Sequence, residues 1–238
     1  MAVALGSSST LAEATTVDSV YVAPTGITDG DLLINWHFEF SPSAGAPPTP
    51  TAPAGFSTVP GPTWPLANAN NGTAIRQWAW YKIASSESGN YTVTHSSCVN
   101  RGMMLRVTGA DTSTPFSPNA TSNTGTGTTS TFTGLTTSVN NCFVLALMSD
   151  NNDNGANLTA PAQTPPTFTE RIDDNHGNYL AAGTMVTAGA TGTPTMTNNS
   201  GAAQGWFAVL MSIQPSAATV PIIVPDYKQF PKFRLRSS

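Results

Sequence analysis

A chain of 238 residues, 39% hydrophobic and only 9% charged, with a formal net charge of −4, is apolar enough to bury a core and too weakly charged to be a disordered polyelectrolyte. Residues 1–225 carry twelve acidic against five basic side chains, a net of −7, which excludes a nucleic-acid footprint spread over the body. Residues 226–238 invert the sign, with Lys228, Lys232, Arg234 and Arg236 against Asp226, a net of +3 that suits an acidic protein surface better than a phosphate backbone.

The opening stretch "MAVALGSSSTLAEA" lacks a basic n-region, and its apolar core is too short for a signal peptide. No stretch approaches the roughly 18–20 apolar residues of a membrane span. The expectation is synthesis in a cytoplasm without Sec export, and no membrane partner.

Helical periodicity is nearly absent. Short runs of branched and aromatic residues bounded by Gly, Pro, Asn and Asp predict strands at Ser19–Val22, Leu32–Phe40, Ile75–Ile83, Asn90–Thr94 and Met103–Thr108. Further strands are expected at Cys142–Ser149, Phe168–Ile172, Tyr179–Thr187 and Trp206–Ile213. In "AIRQWAWYKIA", Ile75, Gln77, Ala79, Tyr81 and Ile83 share one face, with Arg76, Trp78, Trp80 and Lys82 on the other. "FVLALM" and "WFAVLM" are continuous apolar runs, the pattern of central strands covered on both faces. The sum is an all-β, antiparallel β-sandwich, of jelly-roll type, over residues 1–215.

Two loops interrupt it. Residues 41–65 are crowded with proline and read as extended and semi-rigid rather than as a sheet strand. Residues 121–134, "TSNTGTGTTSTFTG", read as a mobile loop or an edge strand. "QPSAA", starting at Gln214, reads as a hinge into an extended arm, residues 216–238.

Few residues offer chemistry. His37, His95 and His176 each stand apart from obvious partners. His37 alternates with Asn35 and Glu39 inside "LLINWHFEF" and reads as a surface or rim residue. No G-x-S-x-G, H-E-x-x-H, P-loop or GxGxxG is present, so the common motifs of acyl transfer, zinc hydrolysis and nucleotide binding are missing, no catalytic residue is assigned, and the chain is expected not to be an enzyme. The oxygen-rich "SDNNDNGAN" offers Asp150, Asn152 and Asp153 to Ca²⁺, the one cofactor the sequence suggests. The closing glutamate of an EF-hand is missing, and such clusters are ordinary turn formers, so a turn is expected there before an ion site. Cys98 and Cys142 adjoin apolar runs and read as buried or half-buried free thiols. Trp64, Trp78 and Trp80 are the candidates for stacking on a sugar ring, set against the ordinary alternative that one face of such a strand is core.

Seven motifs then occur in order: "GDLLINW", "APAGFSTV", "WAWYKIAS…GNYTVT", "RGMMLRVTGADTSTPF", "NNCFVLALMSDNND", "FTERID" and "WFAVLMSIQP". Over roughly residues 28–215 the set resembles a β-sandwich family of tailed-bacteriophage virion proteins, found on capsids and in tail-fibre regions. The resemblance implies a non-enzymatic particle component assembled in the host cytoplasm. The segment after Pro215 departs from it. Its apolar residues, interrupted by Pro221, Pro225 and Pro231, cannot make a regular central strand. An arm gripping a partner fits better, with Ile222, Ile223, Tyr227, Phe230 and Phe233 as anchors and Lys232, Arg234 and Arg236 reaching acidic neighbours. The expected function is a capsid decoration or cement protein, bound to the major capsid protein, other virion proteins or sister subunits, in a dimer or trimer. The alternative is a tail-fibre or adhesin module that binds host glycans.

Overall fold

The computed structural model describes residues 2–41, 45–70, 73–151, 165–174, 177–197 and 203–217. All regular structure among them is β. In chain order the strands are β1 (Ala4–Tyr21), β2 (Leu32–Phe40), β3 (Ser57–Thr58), β4 (Leu66–Asn70), β5 (Thr73–Ile83) and β6 (Tyr91–Thr108). There follow β7 (Thr121–Gly127), β8 (Thr129–Thr131), β9 (Cys142–Asp150), β10 (Thr169–Asp173), β11 (Asn178–Met185), β12 (Thr195–Thr197) and β13 (Gln204–Ile213). No helix among the described residues is long and apolar enough to cross a membrane.

The strands form two antiparallel sheets packed face to face. The first has the order β1-β6-β2-β5-β3, with β4 also on β5; the second has the order β10-β11-β9-β13-β7. Each sheet comes from one contiguous half of the chain, so the architecture is an antiparallel sandwich, and these orders carry no jelly-roll assignment. The core between the sheets joins Leu32, Ile34, Trp36 and Phe38 of β2 to Leu145 and Leu147 of β9 and to Phe207, Val209 and Met211 of β13. A chain of hydrogen bonds crosses it: Trp36 Nε1 donates to Ser149 Oγ (2.7 Å), and Ser149 donates to Asn178 Oδ1 (2.8 Å). Asn178 then donates through Nδ2 to Asp174.

Both sheets are also covered on their outer faces, which is why their central strands are buried throughout. All nine residues of β9 are buried. The outer face of the second sheet lies under the small β12–β8 pair and its loops, with Phe132, Met148, Tyr179, Met196 and Trp206 in one cluster. The outer face of the first sheet is covered by that sheet's own long strands. On β2, His37 pairs with Gly102 of β6. Seven further residues along a straight strand would place His95 roughly 23 Å away. The rings of His37 and His95 are instead 5.5 Å apart. The β1–β6 ribbon therefore bends back over β2. Register shifts between Leu11 and Ala14 and between Thr16 and Asp18 mark the bend, as bulges do in a two-stranded ribbon. Under it Tyr21, Leu33, Trp78, Trp80, Tyr91, Val93 and Met104 form a third apolar cluster. Gly102 has no room for a side chain, since a Cβ there would meet Trp36 O of the paired strand β2 at 2.1 Å and Tyr21 Oη of the covering ribbon at 2.5 Å.

Several expectations change. β1 begins fifteen residues before Ser19, in a stretch of mostly Ser, Thr and Ala with no alternating apolar signal; its ladder to β6 supplies the pairing that composition does not. The segments Asn90–Thr94 and Met103–Thr108 belong to one bent strand, β6, apart from Asn90 just before it. The proline-rich loop contributes the two-residue β3, and residues 121–134 supply an edge strand, β7, together with β8. Cys98 and Cys142 are free and buried, as expected.

Candidate functional site

The bend of the ribbon brings side chains from three strands into one closed space. On β2 the residues Asn35, His37 and Glu39 alternate onto the outer face, and all three are fully buried. The sequence pattern puts His37 at the rim and apart from the other histidines. It lies instead beneath the ribbon beside His95, because the strand pattern alone does not show that the outer face is roofed over.

Each imidazole is held at two points. His37 Nδ1 is hydrogen-bonded to Tyr21 Oη (2.7 Å) and His37 Nε2 to Glu39 Oε1 (2.8 Å). His95 Nε2 meets Ser19 Oγ (2.8 Å), and His95 Nδ1 meets the Ser96 carbonyl (2.9 Å). Ser19 donates to Asn100 Oδ1 (2.7 Å), tying the ribbon's two strands together. The Cys98 thiol lies 3.4 Å from His95 Nδ1 and against the Glu39 carboxyl. Trp78 and Trp80, stacked 6.4 Å apart, flank His37 with ring centroids 6.0 and 5.9 Å away.

Burial sets the electrostatics. Loss of water pushes the Glu39 carboxyl up to about 7, against the opposing pull of His95, Cys98 and Arg76. It holds His37 well below the ordinary histidine range, helped by the neighbouring His95, so His37 is neutral. It raises Tyr21 well above the usual phenol value and pushes the Cys98 thiol up to about 12. Among the described residues, His37, Glu39 and His95 are the group of three whose ligand-type atoms all lie within 4.8 Å of one another.

The residues singled out from the sequence are placed differently. Trp78 and Trp80 are 4% and 5% exposed, so as the protein stands their faces are covered by the ribbon and not open to a sugar ring. Trp64 is half-buried, donates Nε1 to the Val59 carbonyl (2.8 Å) and packs edge-on against Trp36. Asp150 is buried beside Arg101, whose Nη2 donates to the Asp150 carbonyl. Asn152 and Asp153 lie outside the described residues, as do His176 and the arm residues Ile222, Ile223, Tyr227, Phe230, Lys232, Phe233, Arg234 and Arg236. The "QPSAA" stretch is not a free hinge at its start: Pro215 bridges to Ala110, and Ser216 N donates to Gly109 O. Beside it runs an open groove of about 760 Å³ lined by Ala2, Val3, Val139, Gln214, Pro215 and Ala217.

The signal that could have found the buried cluster is the run Asn35, His37, Glu39 at alternate positions of an otherwise apolar strand. Comparison of the chain with protein-family models, with curated proteins and with solved structures finds no match.

Proposed function

We propose that this chain is a structural component of a tailed-phage particle, a capsid decoration or cement protein that holds the capsid surface or sister subunits through residues 219–238. The reading is supported by the order of its seven motifs and, in the structure, by one observation above all: among the described residues, both faces of each sheet are covered. The inner faces of the sheets cover each other, the bent ribbon roofs the first sheet, and the β12–β8 layer covers the second. The eight large apolar side chains between Val220 and Leu235, broken by three prolines, suit a partner's surface.

The body adds a second surface for assembly. β1 is the edge of its sheet, eighteen residues long, and carries exposed Val17 and Val20, with exposed Val22 just beyond its end. An open edge of that length is a template for pairing with another chain, and Glu13 and Asp18 are its only charges.

Deletion of residues 219–238 tests the reading. The truncated chain keeps the circular dichroism and melting temperature of the whole protein while losing particle binding or self-association. Full binding by the truncated chain would show that the arm is not the attachment.

A further inference from the structure

We propose that the space enclosed by β2 and the bent ribbon is a site for one divalent transition metal of the zinc class, held by His37, Glu39, His95 and Cys98. The donor set selects the metal. Two imidazoles, a carboxylate and a thiol suit zinc and its neighbours in the first transition row, whereas calcium and magnesium take all-oxygen shells.

Three of the donors stand at the spacing of ligands in a slightly expanded four-coordinate site. Ligands about 2.1 Å from a tetrahedral centre stand about 3.4 Å from one another. His37, Glu39 and His95 offer donor atoms between 2.8 and 4.8 Å apart, a range that includes that separation. Cys98 stands outside that group of three: its thiol lies 3.4 Å from His95 Nδ1, on the side of the ring away from Nε2, and against the Glu39 carboxyl, and it becomes the fourth ligand by turning its side chain toward the ion. The supporting groups around the ligands are present too. Tyr21 engages His37 at Nδ1 and the Ser96 carbonyl engages His95 at Nδ1, which leaves Nε2 on each ring toward the ligand position. An ion there takes the place of the Ser19 hydroxyl at His95 and of the direct His37–Glu39 hydrogen bond.

An independent observation also points to a ligand. Glu39 Oε2 is buried and makes no hydrogen bond of ordinary geometry, with only the Cys98 thiol against its carboxyl, and both polar atoms of the Asn35 amide, two alternate positions away along the same strand face and near the Tyr21 hydroxyl, make none either. Natural cores leave few such atoms, and each calls for a ligand, an ion or water. A metal satisfies Glu39 directly. Since the ligands come from β2 on one side and the ribbon on the other, it also pins the ribbon to the sheet, and it enters as the chain folds, because the finished site is closed to solvent.

The test uses the untagged full chain expressed in medium supplemented with Zn²⁺ or Co²⁺, with metal content read by plasma mass spectrometry and the cobalt form by visible absorption. The expected result is one ion per chain, with tetrahedral cobalt bands and a thiolate-to-cobalt charge-transfer band. Cys98→Ser removes the charge-transfer band and keeps the ion, and His95→Gln weakens retention against a chelator by at least ~10-fold. A natively folded wild-type chain with no stoichiometric metal, an octahedral cobalt spectrum, or an unchanged spectrum in Cys98→Ser and unchanged retention in His95→Gln would each overturn the proposal.

Discussion

Ser149→Ala is the sharpest perturbation of the fold, because that one hydroxyl joins the two sheets. Ser149 accepts from Trp36 Nε1 of the first sheet and donates to Asn178 Oδ1 of the second, and all three residues are fully buried. Its loss leaves one donor and one acceptor without partners where water does not reach. Each such orphan costs about 1–3 kcal/mol. The hydrogen bonds that Asn178 donates to Asp174 do not serve its Oδ1, so the two orphans together are expected to cost about 2–6 kcal/mol. In a domain of this size each kcal/mol moves the melting temperature by about 2–4 °C, giving a fall of about 4–24 °C in a calorimetric scan. Trp36→Phe removes the donor that Ser149→Ala strands, so the double variant loses less than the sum of the singles, with a coupling of about 0.5–3 kcal/mol. A Ser149→Ala protein within about 0.5 kcal/mol of wild type, or strict additivity, would refute the claim that these hydrogen bonds tie the sheets.

Gly102→Ala forces a methyl group against the Trp36 carbonyl and the Tyr21 hydroxyl; we expect a loss of about 1–3 kcal/mol and a fall in melting temperature, and wild-type stability would contradict the close approach of ribbon and sheet. Asp31 governs an acid-sensitive step. Partial burial raises its carboxyl, but the Thr28 amide, Arg106 at 2.7 Å and the Thr28 hydroxyl outweigh that and hold it below the usual aspartate value of 3.8. A depressed value makes its contribution present above that pH and lost as pH falls through the folded value. The stability gap between wild type and Asp31→Asn, followed by melting temperature, therefore narrows below about pH 3.8, and a gap that stays constant would count against the ion pair.

The fold was legible where a strand's own residues carry the signal. Leu32–Phe40 is a strand over the predicted span, and the two faces of "AIRQWAWYKIA" divide as alternation says, Ile75 and Ala79 toward the opposing sheet and Trp78 and Trp80 toward the ribbon. "FVLALM" is the centre of a sheet covered on both sides. What was not legible depends on contacts distant in sequence. The first fifteen residues of β1 are mostly Ser, Thr and Ala held by their ladder to β6, and the bend that brings His95 over His37 arises at bulges, which leave no periodic trace. The buried cluster was hidden for that reason: Asn35, His37 and Glu39 read as a solvated face until the ribbon is seen to cover it.

The central claim is that the sandwich is the body of a phage decoration protein. Electron microscopy of particles from the lysate that contains this chain, labelled with an antibody against residues 2–217, tests it most directly. Label spread over the capsid shell at lattice positions is the predicted result. Label confined to the tail tip, or particles carrying none, would contradict it.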